Sequence, residues 1–246
     1  MLLQQTLAQL RALSLNAMVQ ALEHQLAQPA LQSLPFEERL AMLVDTETQS
    51  REQRRITRRL RDAKLKVPAS PEDIDFRAER GLNKAQLQGL LSCEWINRGQ
   101  NILVTGATGS GKTWLACALL HQAIRRGFTG YYTRLPRLLE EVEIAREVGN
   151  LAATRARLQR QRVLILDDWG VAALGQAQRQ DLLELIDDRT QTLSTIVTSQ
   201  IPVEQWHDYI GDATLADAIM DRLIHTAHRI DLRGESLRKQ RAEHRS

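Results

Sequence analysis

The chain is 246 residues long, 43% hydrophobic and 26% charged, enough for one sizeable core plus a small extra module. No apolar run approaches the roughly 18 residues of a membrane span, and the opening MLLQQTLAQLR lacks the basic start and apolar stretch of a secretory signal. Net charge is only +3, but the pI is about 9.1 and the basic residues cluster, making local positive fields that can attract phosphate polymers.

Residues 1–65 read as all-helical, and 1–66 as a helical N-terminal domain. Leu3, Leu7 and Leu10 recur at i, i+4, i+7; Met18, Leu22 and Leu26 recur at four; Pro29 closes that segment. Ser33 and Pro35 open a longer helix carrying Phe36, Leu40, Leu43 and Val44. That helix turns basic: Arg51, Arg54, Arg55, Arg58, Arg59, Arg61, Lys64 and Lys66 are opposed only by Glu52 and Asp62, with Ile56 and Leu60 as a narrow apolar seam. Such a run is either a solvated face or a contact for a nucleic-acid backbone. Residues 67–73, VPASPED, are expected to be a linker, its two prolines marking a break before a second domain over 74–246.

Residues 83–95 then predict a helix with Leu87, Leu90 and Leu91 on one side, leading into an apolar strand at 102–104. Gly106, Ala107, Thr108, Gly109, Ser110, Gly111, Lys112 and Thr113 fit G-x-x-x-x-G-K-[ST], and 114–124 follow with a helical pattern. Strand, glycine loop and helix is the context that makes this a phosphate site rather than a turn that binds nothing. Glycines let several backbone N–H groups point inward at phosphate oxygens, and the helix adds the positive end of its dipole. Lys112 can reach the β- and γ-phosphates of a nucleotide, and the Thr113 hydroxyl can ligate magnesium. Trp114 closes the stretch assigned to nucleotide binding. Cys93 and Cys117 sit inside apolar helical patterns and are expected as small core residues in a reducing, cytoplasmic setting.

Further on, 131–134 read as a second strand and 136–147 as a helix ended by Gly149-Asn150. A helix over 151–161 carries Arg155, Arg157 and Arg160 and no acid, again either a solvated face or a nucleic-acid contact. Residues 163–168, VLILDD, put four consecutive β-formers in a strand buried on both faces, as in a helix-covered parallel sheet. Asp167 and Asp168 fall at its C-terminal end, where α/β folds bind ligands, and Asp167 is the expected magnesium partner of the phosphate loop. A helix at 179–189, a strand at 194–199 ending in Thr198, Ser199 and Gln200, a helix at 214–226 and a strand at 228–232 complete an alternating pattern that implies a parallel α/β sheet.

The ordered set LVTGATGSGKTWLA, VLILDDWG, STIVTSQIP, a DRL helix and RGESLR, spanning roughly 70–240, resembles the AAA+ ATPases of the IstB/DnaC-like group. Within it the likeness is to the IstB-like ATP-binding proteins of bacterial insertion sequences, with DnaC-type helicase loaders and DnaA-type initiators as relatives. The resemblance implies a five-stranded parallel sheet with the phosphate-loop strand central, and ATP and magnesium as cofactors. It implies that Asp168 polarises the attacking water, a departure from the glutamate common in AAA+ proteins, and that Thr198 and Ser199 form the polar sensor. Arg222 would be the arginine finger that reaches a neighbouring subunit's γ-phosphate, and Arg238 the second sensor arginine. ATP sites would then be completed at the interfaces of a homo-oligomer. Such oligomers would wrap or line duplex DNA without base readout, and the partner would be the transposase of the same element. A helicase loader of the same fold is the alternative; a small-molecule P-loop kinase and a DNA adaptor with a dead ATP site are further alternatives.

Overall fold

A computed structural model describes residues 2–74, 76 and 81–233. The chain divides into two compact units, 1–58 and 59–246.

The first unit is helical: α1 (Leu2–Ala12), α2 (Asn16–Ala27), α3 (Pro29–Gln32) and most of α4 (Phe36–Asp62). Its Leu7, Val19 and Leu43 are buried. So is Glu47, whose carboxylate accepts from the backbone N–H groups of Ala17 and Met18 at 3.0 and 3.1 Å. It thereby satisfies donors in the first turn of α2, which has no capping side chain of its own. Arg51 Nε lies 2.8 Å and Arg54 Nη2 3.3 Å from the same carboxylate. The basic run is therefore opposed by Glu47 as well as by Glu52 and Asp62, which pair with Arg55 and Arg61.

The boundary between the units falls inside α4, ahead of the linker expected at 67–73. Residues 59–73 belong to the second unit and are tied to its strands and helices. Arg59 donates to the Gly127 carbonyl, Ala63 O accepts from Tyr132 N at 2.8 Å, and His121 Nδ1 lies 2.7 Å from Ala69 O.

The second unit is a five-stranded parallel sheet in the order β2-β3-β4-β1-β5, built from β1 (Ile102–Gly106), β2 (Gly130–Arg134), β3 (Val163–Trp169), β4 (Ser194–Ser199) and β5 (His228–Leu232). β1 is interior, between β4 and β5, and the middle position belongs to β4. Ahead of β1, the helix expected at 83–95 is two: α5 (Lys84–Leu91), capped by Asn83, and α6 (Glu94–Asn97). Cys93 between them takes φ +67°, which a continuous right-handed helix cannot accommodate. Between the strands lie α7 (Lys112–Arg125), α8 (Leu135–Glu147), α9 (Leu151–Gln159), α10 (Gln176–Asp187), α11 (Trp206–Ile210) and α12 (Ala213–Ile224).

Leu103, Leu164, Leu166 and Val197 share one core with α8, α10, α11 and α12. Their neighbours Ile102, Val104, Ile165 and Ile196 are equally inaccessible and point to the opposite face by strand alternation, where α7 packs on β1 to β4. Burial on both faces is why these strands read as unbroken apolar runs. Cys93 and Cys117 are free and buried, and burial pushes each thiol up to about 11.

Arg189, 2% exposed, fills its donors with the carbonyls of Leu158, Gln161 and Ser194 and with Thr195 Oγ1. It ties the end of α9 to the start of β4. With only neutral acceptors around it, burial lowers its pKa to about 9.

Candidate nucleotide site at the sheet edge

The phosphate loop runs from the end of β1 to the start of α7. Two of its glycines are needed as glycines. A Cβ on Gly106, at φ +145°, would lie 2.4 Å from Leu232 O, and Gly111 takes φ +98° as it caps α7. The free N–H groups of the first turn of α7 open onto this loop. Lys112 is a residue 8% exposed, and its Nζ donates to the carbonyls of Gly106 and Ala107 at 2.8 Å each. Its pKa is lowered by burial and held up by the charges of Asp167 and Asp168. Trp114, the third residue of α7, is half-buried.

Asp167 gathers donors from three elements. Thr113 Oγ1 on α7 lies 2.8 Å from Oδ1 and 3.1 Å from Oδ2, Tyr132 OH on β2 donates to Oδ2 at 2.7 Å, and Thr198 Oγ1 on β4 donates to Oδ1. Thr113 and Asp167 thus offer two hard oxygen ligands side by side. Among the described residues no group of three or more His, Cys, Asp or Glu is arranged to hold a metal. That donor set fits magnesium, which typically takes one or two protein oxygens and completes its shell with phosphate and water.

Asp168 is placed by a bulge. Leu166 pairs with Val197 but Trp169 pairs with Ser199, so β3 carries one extra residue there, and Asp168 takes φ +63°. Such bulges re-aim side chains beside functional sites. The Asp168 carboxylate meets Arg134 Nε at 3.1 Å. Burial and the neighbouring Asp167 raise its pKa; Arg134 and Lys112 pull it back down. The tyrosine at 132 and Asp168 together hold the Arg134 guanidinium more firmly protonated than usual.

The two expected sensor residues part company. Thr198 reaches Asp167 and accepts from the Asp168 N–H at 3.4 Å, whereas Ser199 donates to Trp169 O at 3.0 Å and accepts from Ile201 N. Adjacent residues of a strand face opposite sides, so both cannot look at the Asp167 carboxylate. Arg222 lies at the other end of the sheet. Its carbonyl accepts from Asn101 Nδ2, just before β1, and five residues at about 3.3 Å each separate that end from the phosphate loop. Its side chain donates to Asp187 Oδ1 at 2.6 Å and to Ala218 O. Arg238 lies outside the described residues.

The family described as IstB-like ATP binding protein matches residues 8–245. The chain belongs to this family. The match includes the helical N-terminal region, which carries no motif of its own. The chain is 44% identical over 239 residues to a protein of Sinorhizobium fredii named as an insertion sequence ATP-binding protein, covering 97% of this chain and 98% of the relative. It is 49% identical over 203 residues to one of Pseudomonas fluorescens, covering 82% and 88%. The fold is that of AAA+ P-loop proteins. It superposes on the DnaI structure with TM-score 0.57 at 20% identity (67% of this chain, 91% of that one). On a DnaC helicase loader the TM-score is 0.55 at 21% identity (70% and 100%).

The arginines assigned to DNA differ in their surroundings. Arg51, Arg54, Arg55 and Arg58 on α4 are exposed. On α9, Arg155 pairs with Glu184 of α10, and Arg157 pairs with Glu141 of α8 at 2.5 Å and stacks 4.9 Å from the Tyr131 ring centroid. The acids absent from the α9 sequence are supplied by its neighbours. Arg160 is exposed at the C-terminal end of α9.

Three residues at the site carried no assignment from sequence. Tyr132 is the middle residue of β2 and Arg134 its last, and Gln200 follows β4, its Oε1 accepting from Thr108 Oγ1 at 2.8 Å. The available signal for Arg134 and Gln200 was position: both stand at or next to C-terminal strand ends of a parallel sheet, the edge where α/β folds bind ligands.

Proposed function

We propose that this protein is a magnesium-dependent ATP hydrolase that assembles on duplex DNA and delivers target DNA to the transposase of its own insertion sequence. The observation that carries the reading is the meeting of Asp167 with Thr113 at the mouth of the phosphate loop, in a member of an ATP-binding family whose relatives are named for insertion sequences. Loop N–H groups and Lys112 hold the phosphates. Thr113 and Asp167 would hold magnesium, which would neutralise charge developing on the phosphates. Asp168 orients and polarises the attacking water once released from Arg134, and Thr198 keeps both aspartates in register. Arg222 leaves Asp187 to complete the site of a neighbouring subunit, which makes ATP binding and oligomerisation linked events. The exposed arginines of α4 supply contacts to the DNA backbone. Among the described residues no helix is long and apolar enough to cross a membrane, and the two free cysteines suit a cytoplasmic setting.

The test is the assembly state of the full chain on duplex DNA, by mass or microscopy, with ATP and with ADP, for wild type and Arg222→Ala. Large oligomers that need both ATP and DNA support the reading. A monomer under every condition overturns it. Likeness in fold to a helicase loader favours a second reading, in which the first unit grips a helicase; capture of a replicative helicase instead of the transposase would select it.

A further inference from the structure

We propose that Tyr132 is a positioning residue for the magnesium carboxylate, its hydroxyl fixing Asp167 in the orientation that presents it beside Thr113. This rests on the ATP and magnesium reading above. Asp167 is 3% exposed, so its orientation is set by protein donors rather than by water. Each carboxylate oxygen carries one donor that belongs to a neighbouring strand: Thr198 on Oδ1 from β4, and Tyr132 on Oδ2 from β2 at 2.7 Å. The third donor, Thr113, is shared between the two oxygens at 2.8 and 3.1 Å. A hydroxyl has one proton to give, so Thr113 is the exchangeable partner, the one that can turn its oxygen to a cation. Tyr132 and Thr198 are the partners that stay.

Tyr132 is itself firmly held. Its N–H donates to Ala63 O at 2.8 Å on the outer edge of β2, and it pairs in register with Ile165 of β3, two residues before Asp167. Tyr132 as a whole is 8% exposed. A phenylalanine would keep that packing and remove the hydroxyl, which donates to Asp167 and also supports the Arg134 guanidinium, leaving Oδ2 of a buried carboxylate with only the shared Thr113 donor. Groups that orient a metal ligand are commonly worth 10- to 100-fold in metal affinity. Because Thr198 shares the task, the lower end of that range, about 10-fold, is expected.

The experiment uses the full-length protein with Mn2+ as the probe. Free Mn2+ is titrated by electron paramagnetic resonance against protein saturated with ADP, for wild type, Tyr132→Phe and Asp167→Asn. ADP affinity without divalent cation is measured in parallel. The expected result is metal-free ADP affinity within about 2-fold of wild type and Mn2+ affinity about 10-fold weaker in Tyr132→Phe. Unchanged Mn2+ affinity overturns the proposal. So does loss of metal-free ADP binding, which would mark Tyr132 as a support of the whole fold. If wild type and Asp167→Asn bind Mn2+ no better than ADP alone does, the magnesium reading itself fails and the role of Tyr132 falls with it.

Discussion

Arg134→Ala is expected to speed ATP turnover. In the structure Asp168 Oδ2 lies 3.1 Å from Arg134 Nε, and the two side chains are 31% and 51% exposed. At that exposure solvent screens the pair, and its worth is about 0.2–1 kcal/mol. If Asp168 must leave Arg134 before it can polarise water, that energy is part of the barrier. Removing the arginine then raises the rate by about 1.4- to 5-fold, since 1.36 kcal/mol is a factor of ten. The assay is phosphate release at saturating ATP under single-turnover conditions, with nucleotide affinity measured alongside. Salt supplies an internal control. Added salt screens an exposed pair, so it should accelerate wild type toward the variant and leave the variant's chemical step nearly unmoved. A fall in turnover of ten-fold or more with unchanged affinity would refute the reasoning, because Arg134 would then be holding Asp168 in its working position.

Arg222→Ala should keep nucleotide affinity and lose about a thousand-fold in turnover; mixing it with Lys112→Ala should restore part of the activity, since one subunit then brings an intact loop and its neighbour an intact finger. Activity identical to wild type would make Arg222 a surface partner of Asp187 and nothing more. Arg58→Ala should weaken binding to duplexes of any sequence alike and reduce the slope of log affinity against log salt by about 0.9; an unchanged slope removes Arg58 from the DNA contact. Glu47→Gln should reveal a pH-dependent loss of helical structure by circular dichroism melts. Its partner Arg51, with the Ala17 and Met18 N–H groups, holds the Glu47 carboxyl below its ordinary value of 4.5. The carboxylate's contribution is therefore complete above that value and fades as pH falls through the depressed folded value. The gap between variant and wild type should close in acid; a gap that widens there would contradict this sign.

The strands at 194–199 and 228–232 are those expected from the sequence, residue for residue, and the glycine loop lies where its motif put it. These features are written in consecutive residues: apolar runs, a glycine pattern, the period of a helix. Breaks that depend on one backbone angle are less legible. Nothing in the local pattern marks Cys93 as left-handed, so α5 and α6 read as one helix.

What only the tertiary structure decided is who meets whom. The strand order brings Tyr132, Thr198 and Thr113 to one carboxylate, although they lie 35, 31 and 54 positions from Asp167. A one-residue bulge turns Asp168 toward Arg134, and strand alternation gives Thr198 rather than Ser199 to the site. The acids that pair with Arg155 and Arg157 come from α10 and α8, which a reading of one helix at a time does not connect. The sequence by itself determined the strands, most of the helices and the phosphate loop, because periodicity and motif spacing are local. The environment of each acid and arginine was left to the packing, because hydrogen bonds and ion pairs depend on distances that exist only once the sheet has formed.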